Sequence, residues 1–192
     1  MNPVVCSIAV DREVSSSDFR SAMRRLAGGV SVITAGRGKD ISGMTVTSVS
    51  SLSVDPPSLI VSINRSASSW PLLKRYGFFG VNILNADQLD IAERFTGKDG
   101  LKGADRFAGA KWVTRASGVP LLSGALAAIE CEIEEIIERH SHAVVIGRVL
   151  DLQLSGRSAA LAYWQGQYLA IDRDEDAILL ADVSVPLPRA LR

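Results

Sequence analysis

Between residues 125 and 133 apolar and acidic side chains alternate: Ala125, Ala127, Ile129, Cys131 and Ile133 fall on one side, and Glu130, Glu132 and Glu134 on the other. A period of two marks a half-buried strand, because successive side chains of an extended chain point to opposite faces. One sheet face is expected to be wet there. Around this segment other extended runs follow one another. β-Branched residues dominate 30–34, Gly36-Arg37-Gly38-Lys39-Asp40 reads as a hairpin turn, and alternation resumes over 44–53 as one strand. Asp55-Pro56-Pro57 then breaks the chain, since proline supplies no ladder donor. Residues 59–63, 78–84 and 143–154 read as further strands, and 161–164 with 168–171 as a closing hairpin around Gln165-Gly166-Gln167. Seven to nine strands are expected. A parallel α/β fold would need helices alternating regularly with strands, whereas here strand follows strand. The fold class is therefore mainly β with a few helices: a single antiparallel sheet closed into a barrel, in one domain.

Three short helices complete the reading. Ser15 to Ser17 offer an N-cap, after which Phe19, Ala22, Met23 and Leu26 share one helical face before Gly28-Gly29 stops the helix. A polar cluster at 66–69 precedes Trp70, Leu72, Leu73 and Tyr76, so a second helix runs to Gly77, and a third spans 87–95. Residues 97–109 form a glycine- and charge-rich loop, expected to be mobile. Residues 1–16 read as an N-terminal extension, 17–171 as the barrel domain and 172–192 as a tail. The tail's Ile178-Leu179-Leu180 suggests docking on the barrel or on a second subunit.

Composition narrows the function classes. With 192 residues and 47% apolar positions the chain can bury a core without disulfides or metal. The 21 Lys and Arg balance 21 Asp and Glu, which leaves no electrostatic footprint for nucleic acid. No apolar run is long enough to span a bilayer, so a soluble protein is expected. Cys6 and Cys131 form no CxxC and have no ligand cluster nearby, which fits a reduced, cytoplasmic compartment.

Several catalytic signatures are missing. Neither GxGxxG nor GxxxxGK[ST] occurs, and there is no GxSxG elbow. His140-Ser141-His142 lacks a third and fourth ligand of matching type, so no metal site is expected. Two stretches remain. Residues 43–53 place hydroxyls on both faces of a strand, which suits a planar heteroaromatic ligand or, more blandly, an exposed edge strand. Asn64-Arg65-Ser66-Ala67-Ser68-Ser69-Trp70, at a strand-to-helix junction, suits an anion or simply a helix cap.

These residues resemble a known family. Phe19-Arg20, Ala27-Gly28-Gly29-Val30 and Gly43-Met44-Thr45-Val46-Thr47-Ser48 are similar to the short-chain flavin reductases. So are Asp55-Pro56-Pro57, Phe79-Gly80-Val81-Asn82, Ala92-Glu93-Arg94-Phe95, Asp105-Arg106-Phe107-Ala108-Gly109, Glu130-Cys131-Glu132 and Tyr163-Trp164-Gln165-Gly166-Gln167-Tyr168, all in consistent order. Those proteins are the NAD(P)H:flavin oxidoreductase components of two-component monooxygenases. The resemblance implies an FMN-binding split β-barrel of Greek-key type, FMN or FAD as the flavin, NADH or NADPH as reductant, a homodimer, and a monooxygenase partner. It also implies that Gly43, Met44, Thr45, Thr47 and Ser48 line the isoalloxazine, that Ser62 and Asn64 flank the ribityl chain, that Ser68 and Ser69 hold phosphate and that Arg94 adds a cation. His142 keeps the position of a nicotinamide-facing histidine, although Ser141 and His140 replace the Asp and Gly of the family's triplet; Tyr168 is a second candidate there. The alternative is a flavin-binding or electron-relay protein without catalysis.

Overall fold

The structure is a computed structural model and describes residues 13–98 and 100–172. In chain order it contains α1 (Ser16–Met23), β1 (Gly28–Gly29), β2 (Ser31–Arg37), β3 (Asp40–Val46), β4 (Val49–Val54), β5 (Pro57–Asn64), α2 (Trp70–Tyr76) and β6 (Phe78–Ile83). There follow α3 (Leu89–Arg94), β7 (Trp112–Thr114), β8 (Pro120–Leu122), β9 (Ala127–Arg139), β10 (His142–Leu154), β11 (Ala160–Trp164) and β12 (Gln167–Ile171). The termini beyond, including the apolar tail positions 178–180, lie outside the described residues. Among the described residues no helix is long and apolar enough to cross a membrane.

All strand pairs are antiparallel, as the sequence predicts, but they make three sheets rather than one, from twelve strands rather than seven to nine. The main sheet has the order β3-β2-β6-β9-β10-β5-β4; β1-β11-β12 and β7-β8 form two small ones. The run 44–53 is not a single strand. It belongs to β3 and β4, which occupy opposite edges of the seven-stranded sheet and are joined by Thr47 and Ser48 alone. Laid flat, seven strands would separate those edges by roughly 29 Å, whereas three Cα steps reach about 11 Å. The sheet must therefore curl until its edges meet. Hydroxyls bridge the resulting seam: Ser48 Oγ donates to the Ser62 carbonyl at 2.8 Å, and Ser42 and Ser68 hydroxyls pair at 2.9 Å.

The barrel interior is apolar, built on Ile33, Met44, Val61, Ile63, Phe79, Val81 and Val145. α2 seats Trp70, Leu72 and Leu73 against it and ends at Gly77, whose φ of 72° needs a residue without Cβ. A second core lies outside the barrel wall, where Val30, Leu84, Ile91, Phe95, Phe107 and Leu161 pack together. Phe107 meets Phe95 edge-on at 5.0 Å and Trp112 at 4.8 Å.

Two expectations change. Glu130, assigned to a wet face, is 2% exposed; its carboxylate accepts from the Ser117 amide at 2.9 Å and from the Ser117 hydroxyl. β7, β8 and the segment between them cover that part of the strand, so the alternation reports two covered faces. The loop 97–109 carries a 3₁₀ turn over Gly103–Phe107 and buries Phe107. α1 starts where expected, with Ser15 Oγ accepting from the Asp18 amide at 3.1 Å, but ends at Met23 rather than at Gly28-Gly29, and Phe19 and Met23 on it and Leu26 beyond it are 60%, 45% and 66% exposed.

Candidate functional site

A cleft of about 450 Å³ opens between three elements. Thr45, Val46 and Thr47 at the end of β3 form its floor, Glu93, Thr96 and Lys98 one wall, and Tyr163, Gly166 and Tyr168 of the β11–β12 hairpin the other. This is the size range of small-molecule sites.

Each wall is held by bonds that the sequence supplies locally. β3 is an edge strand, so its outward backbone groups need partners. Thr45 N donates to the Phe95 carbonyl at 3.2 Å, and Thr45 Oγ1 donates to the Ala92 carbonyl at 2.6 Å. Arg106 Nη1 donates to the Gly43 carbonyl at 2.7 Å, while its Nε donates to the Leu101 carbonyl at 2.8 Å. One guanidinium thus ties the loop 97–107 to the strand. Gly43 is required by packing, since a Cβ there would lie 2.6 Å from the Ile33 carbonyl oxygen and 2.8 Å from the Phe95 ring. The opposite wall turns at Gln165 and Gly166, with φ of 49° and 85°, the left-handed pair of a tight two-residue hairpin. Gln165 N and Trp164 Nε1 donate to the carbonyls of Arg24 and Arg25 at 3.0 and 3.1 Å, which fixes the hairpin against the end of α1.

Tyr163 and Tyr168 meet edge-on at 5.1 Å. Burial raises the Tyr168 phenol above its ordinary range, with smaller contributions from Tyr163 and Glu93. Tyr168 therefore faces the cleft as a neutral hydroxyl.

The residues assigned by resemblance fall into three groups. Thr45, Thr47 and Tyr168 line the cleft. Ser48, Ser62, Asn64 and Ser68 follow the seam, which meets the cleft where Thr47 adjoins Ser48; His142 lies opposite Asn64 in the β5–β10 register, exposed, with Nδ1 2.8 Å from the Ser141 hydroxyl. Gly43 and Met44 are buried in the wall, and Arg94 donates through Nε and Nη2 to the carbonyls of Arg106 and Asp105. Ser69 stands apart: it is fully buried at the start of α2, makes no side-chain cap, and its Oγ has no hydrogen-bond partner. The simple capping reading therefore does not account for this serine. Glu93, Thr96, Lys98, Tyr163 and Arg106 had no assigned role in the sequence reading, although all but Thr96 and Lys98 belong to the segments that carried the resemblance. Among the described residues no three His, Cys, Asp or Glu side chains converge as a metal site.

Comparison with known proteins agrees with this geometry. Residues 23–172 match the model of the flavin reductase like domain. A flavin reductase of Pseudomonas putida is 36% identical over 152 residues, covering 78% of this chain and 86% of its own. The NADH-dependent FMN reductase RutF of Cronobacter sakazakii is 33% identical over 155 residues, covering 81% and 92%. Among solved structures, BorF, the flavin reductase component of a bacterial two-component tryptophan halogenase, superimposes with a TM-score of 0.76 at 32% identity, covering 83% of this chain and all of its own. The styrene monooxygenase flavin reductase of Pseudomonas putida gives 0.71 at 31%, covering 82% and 99%. With its curled seven-stranded sheet, seam and cleft, this chain belongs to the flavin reductase like domain family.

Proposed function

We propose that this chain is an NAD(P)H-dependent flavin reductase that supplies reduced FMN or FAD to a flavin-dependent monooxygenase. The observation that carries the reading is the cleft itself: a ligand-sized space with a hydroxyl-bearing strand end on one side and an aromatic pair on the other, within a flavin reductase domain.

The residues present suit a flavin. The cleft floor offers Thr47 and the backbone of 46–48 to a ring edge rich in donors and acceptors, and Tyr168 adds a neutral hydroxyl. The unpartnered buried Ser69 Oγ, beside the exposed Ser68 hydroxyl, suits a phosphate oxygen, since a buried polar atom without a partner costs about 1–3 kcal/mol. Ser62 and Asn64 lie along the seam between the two. Bound flavin supplies the two-electron acceptor for the nicotinamide's hydride. The chain's own residues then bind and orient. Thr45 and Arg106 hold the floor rigid, the Tyr163–Tyr168 hairpin shields the cleft from water, and Lys98 contributes the cleft's cation, favouring negative charge nearby. His142 positions the nicotinamide through its ring nitrogen. No general acid or base is required, which explains the lack of hydrolytic motifs.

The active form is a homodimer. Leu150, Leu152 and Leu154 on β10 and Val54 on β4 are 40%, 51%, 70% and 89% exposed, an apolar surface suited to a second copy. The enzyme works in the cytoplasm, where Cys131, buried and unpaired, stays a thiol.

Mixing the protein with FMN and NADH and following nucleotide absorbance tests the reading. Flavin-dependent NADH oxidation is expected. Flavin binding without oxidation would establish the electron-relay alternative instead, and binding of neither would remove both.

A further inference from the structure

We propose that Glu93 sets the release of reduced flavin, its carboxylate offsetting the hold of Lys98 on the charge that the flavin ring gains in the reaction. The inference rests on the flavin occupying the cleft.

Hydride transfer changes the charge of the cleft's occupant. Two electrons and one proton pass from C4 of the nicotinamide to N5 of the flavin. The nicotinamide becomes a cation, and the isoalloxazine, neutral before, becomes an anion with its charge at the N1/O2 end. The flavin phosphate is the same before and after. Charged groups in the cleft therefore act differently on substrate and product, whereas the phosphate seat does not. A reductase that supplies its product to another enzyme must let that anion go.

The cleft walls carry one acidic and one basic side chain, Glu93 and Lys98. Lys98 alone would hold the anion more tightly than the neutral ring and so retain the product. Glu93 is placed to oppose this. It lies in α3, whose Ile91 and Ala92 are buried in the outer core, and Thr45 on the cleft floor donates to the Ala92 carbonyl at 2.6 Å. The Glu93 carbonyl accepts from Thr96 N at 3.0 Å and from Thr96 Oγ1 at 2.7 Å, which fixes the backbone at this residue. Among the described residues no ion pair neutralises its carboxylate. The guanidiniums that adjoin it in the fold are committed to backbone: Arg94 to the carbonyls of Arg106 and Asp105, and Arg106 to those of Leu101 and Gly43.

Tyr168, on the facing wall, registers the same field. Burial raises its phenol most, followed by Tyr163 and Glu93. A space that keeps Tyr168 protonated in this way also resists an anionic ring.

The test compares oxidised FMN with FMN photoreduced under anaerobic conditions, each titrated by calorimetry into wild type, Glu93→Gln and Glu93→Asp. Glu93→Gln keeps the size of the side chain and removes its charge. It is expected to bind reduced FMN about fivefold more tightly, the range of one exposed charge interaction, and oxidised FMN within twofold of wild type. For a two-electron couple that ratio raises the midpoint potential of the bound flavin by about 20 mV. Glu93→Asp, which keeps the charge, should bind both forms within twofold of wild type. An unchanged affinity of Glu93→Gln for reduced FMN overturns the proposal. So does an equal change for both forms, which would make Glu93 a packing or hydrogen-bonding residue of the cleft, or a Glu93→Asp variant that behaves as Glu93→Gln. Wild type that binds FMN in neither form would refute the cleft reading itself, and the proposal with it, a result distinct from all of these.

Discussion

Two polar regions of this molecule follow opposite rules. Under β8, Thr34, Asn82, Ser117 and Glu130 are buried, and all are paired: Thr34 Oγ1 donates to the Pro120 carbonyl at 2.5 Å, Asn82 Nδ2 donates to the Val32 carbonyl at 3.0 Å, its Oδ1 accepts from the Leu122 amide at 2.7 Å, and Ser117 binds Glu130. At the cleft, Thr47 and Lys98 are exposed and make no such bonds, and the buried Ser69 hydroxyl by the seam is unpartnered. Polarity spent on the scaffold is satisfied internally, whereas at the cleft and seam part of it, Thr47, Lys98 and the Ser69 hydroxyl, is left open. The first region should govern stability and the second affinity.

The largest effect tests the scaffold side. Glu130→Ala removes the acceptor of two bonds and opens a void, so unfolding free energy should fall by about 3 kcal/mol in urea denaturation. FMN affinity of the folded protein should stay within twofold. A stable variant with lost affinity would break the division.

Cys131, next to Glu130, sharpens it. Burial, aided by the Glu130 charge, pushes its thiol from 9.0 up to about 12. A folded value above the unfolded one means that the stabilisation is complete below pH 9 and is lost as pH rises toward 12. The expected decline is about 1.4 kcal/mol per pH unit within that window. Cys131→Ala should flatten this slope when denaturation is compared at pH 8 and pH 10. An unchanged slope would assign alkaline instability elsewhere.

On the cleft side, Thr47→Val should change stability by less than about 0.5 kcal/mol while weakening FMN about fivefold to tenfold, the value of one hydrogen bond. Ser69→Ala should act more selectively still: FMN affinity falls severalfold and riboflavin affinity does not, read by flavin fluorescence. Equal loss for both ligands would place the phosphate away from α2.

Much of the scaffold was legible locally. The extended run that becomes β9, the hairpin around Gln165-Gly166-Gln167 and the Ser15 cap each depend on a few neighbouring residues, and the structure contains all three. What failed was non-local. Residues 44–53 alternate smoothly, so nothing in the run itself reveals that Thr47 and Ser48 carry the chain between opposite sheet edges. Glu130 reads as solvent-facing because its partner, Ser117, belongs to a segment whose docking no periodicity announces. The exposed face of α1 was visible as amphipathic, but its open setting was not. At the site, hydroxyl-rich segments were recognised, yet Lys98 and Thr96 carry no pattern of their own and emerged only when the fold brought them against β3.

The central claim is that the flavin ring lies in the cleft between Thr47 and Tyr168. A crystal structure of the protein with FMN tests it most directly. The account predicts the isoalloxazine there, with the phosphate at Ser68 and Ser69. A ring bound elsewhere, with the cleft empty, would contradict it.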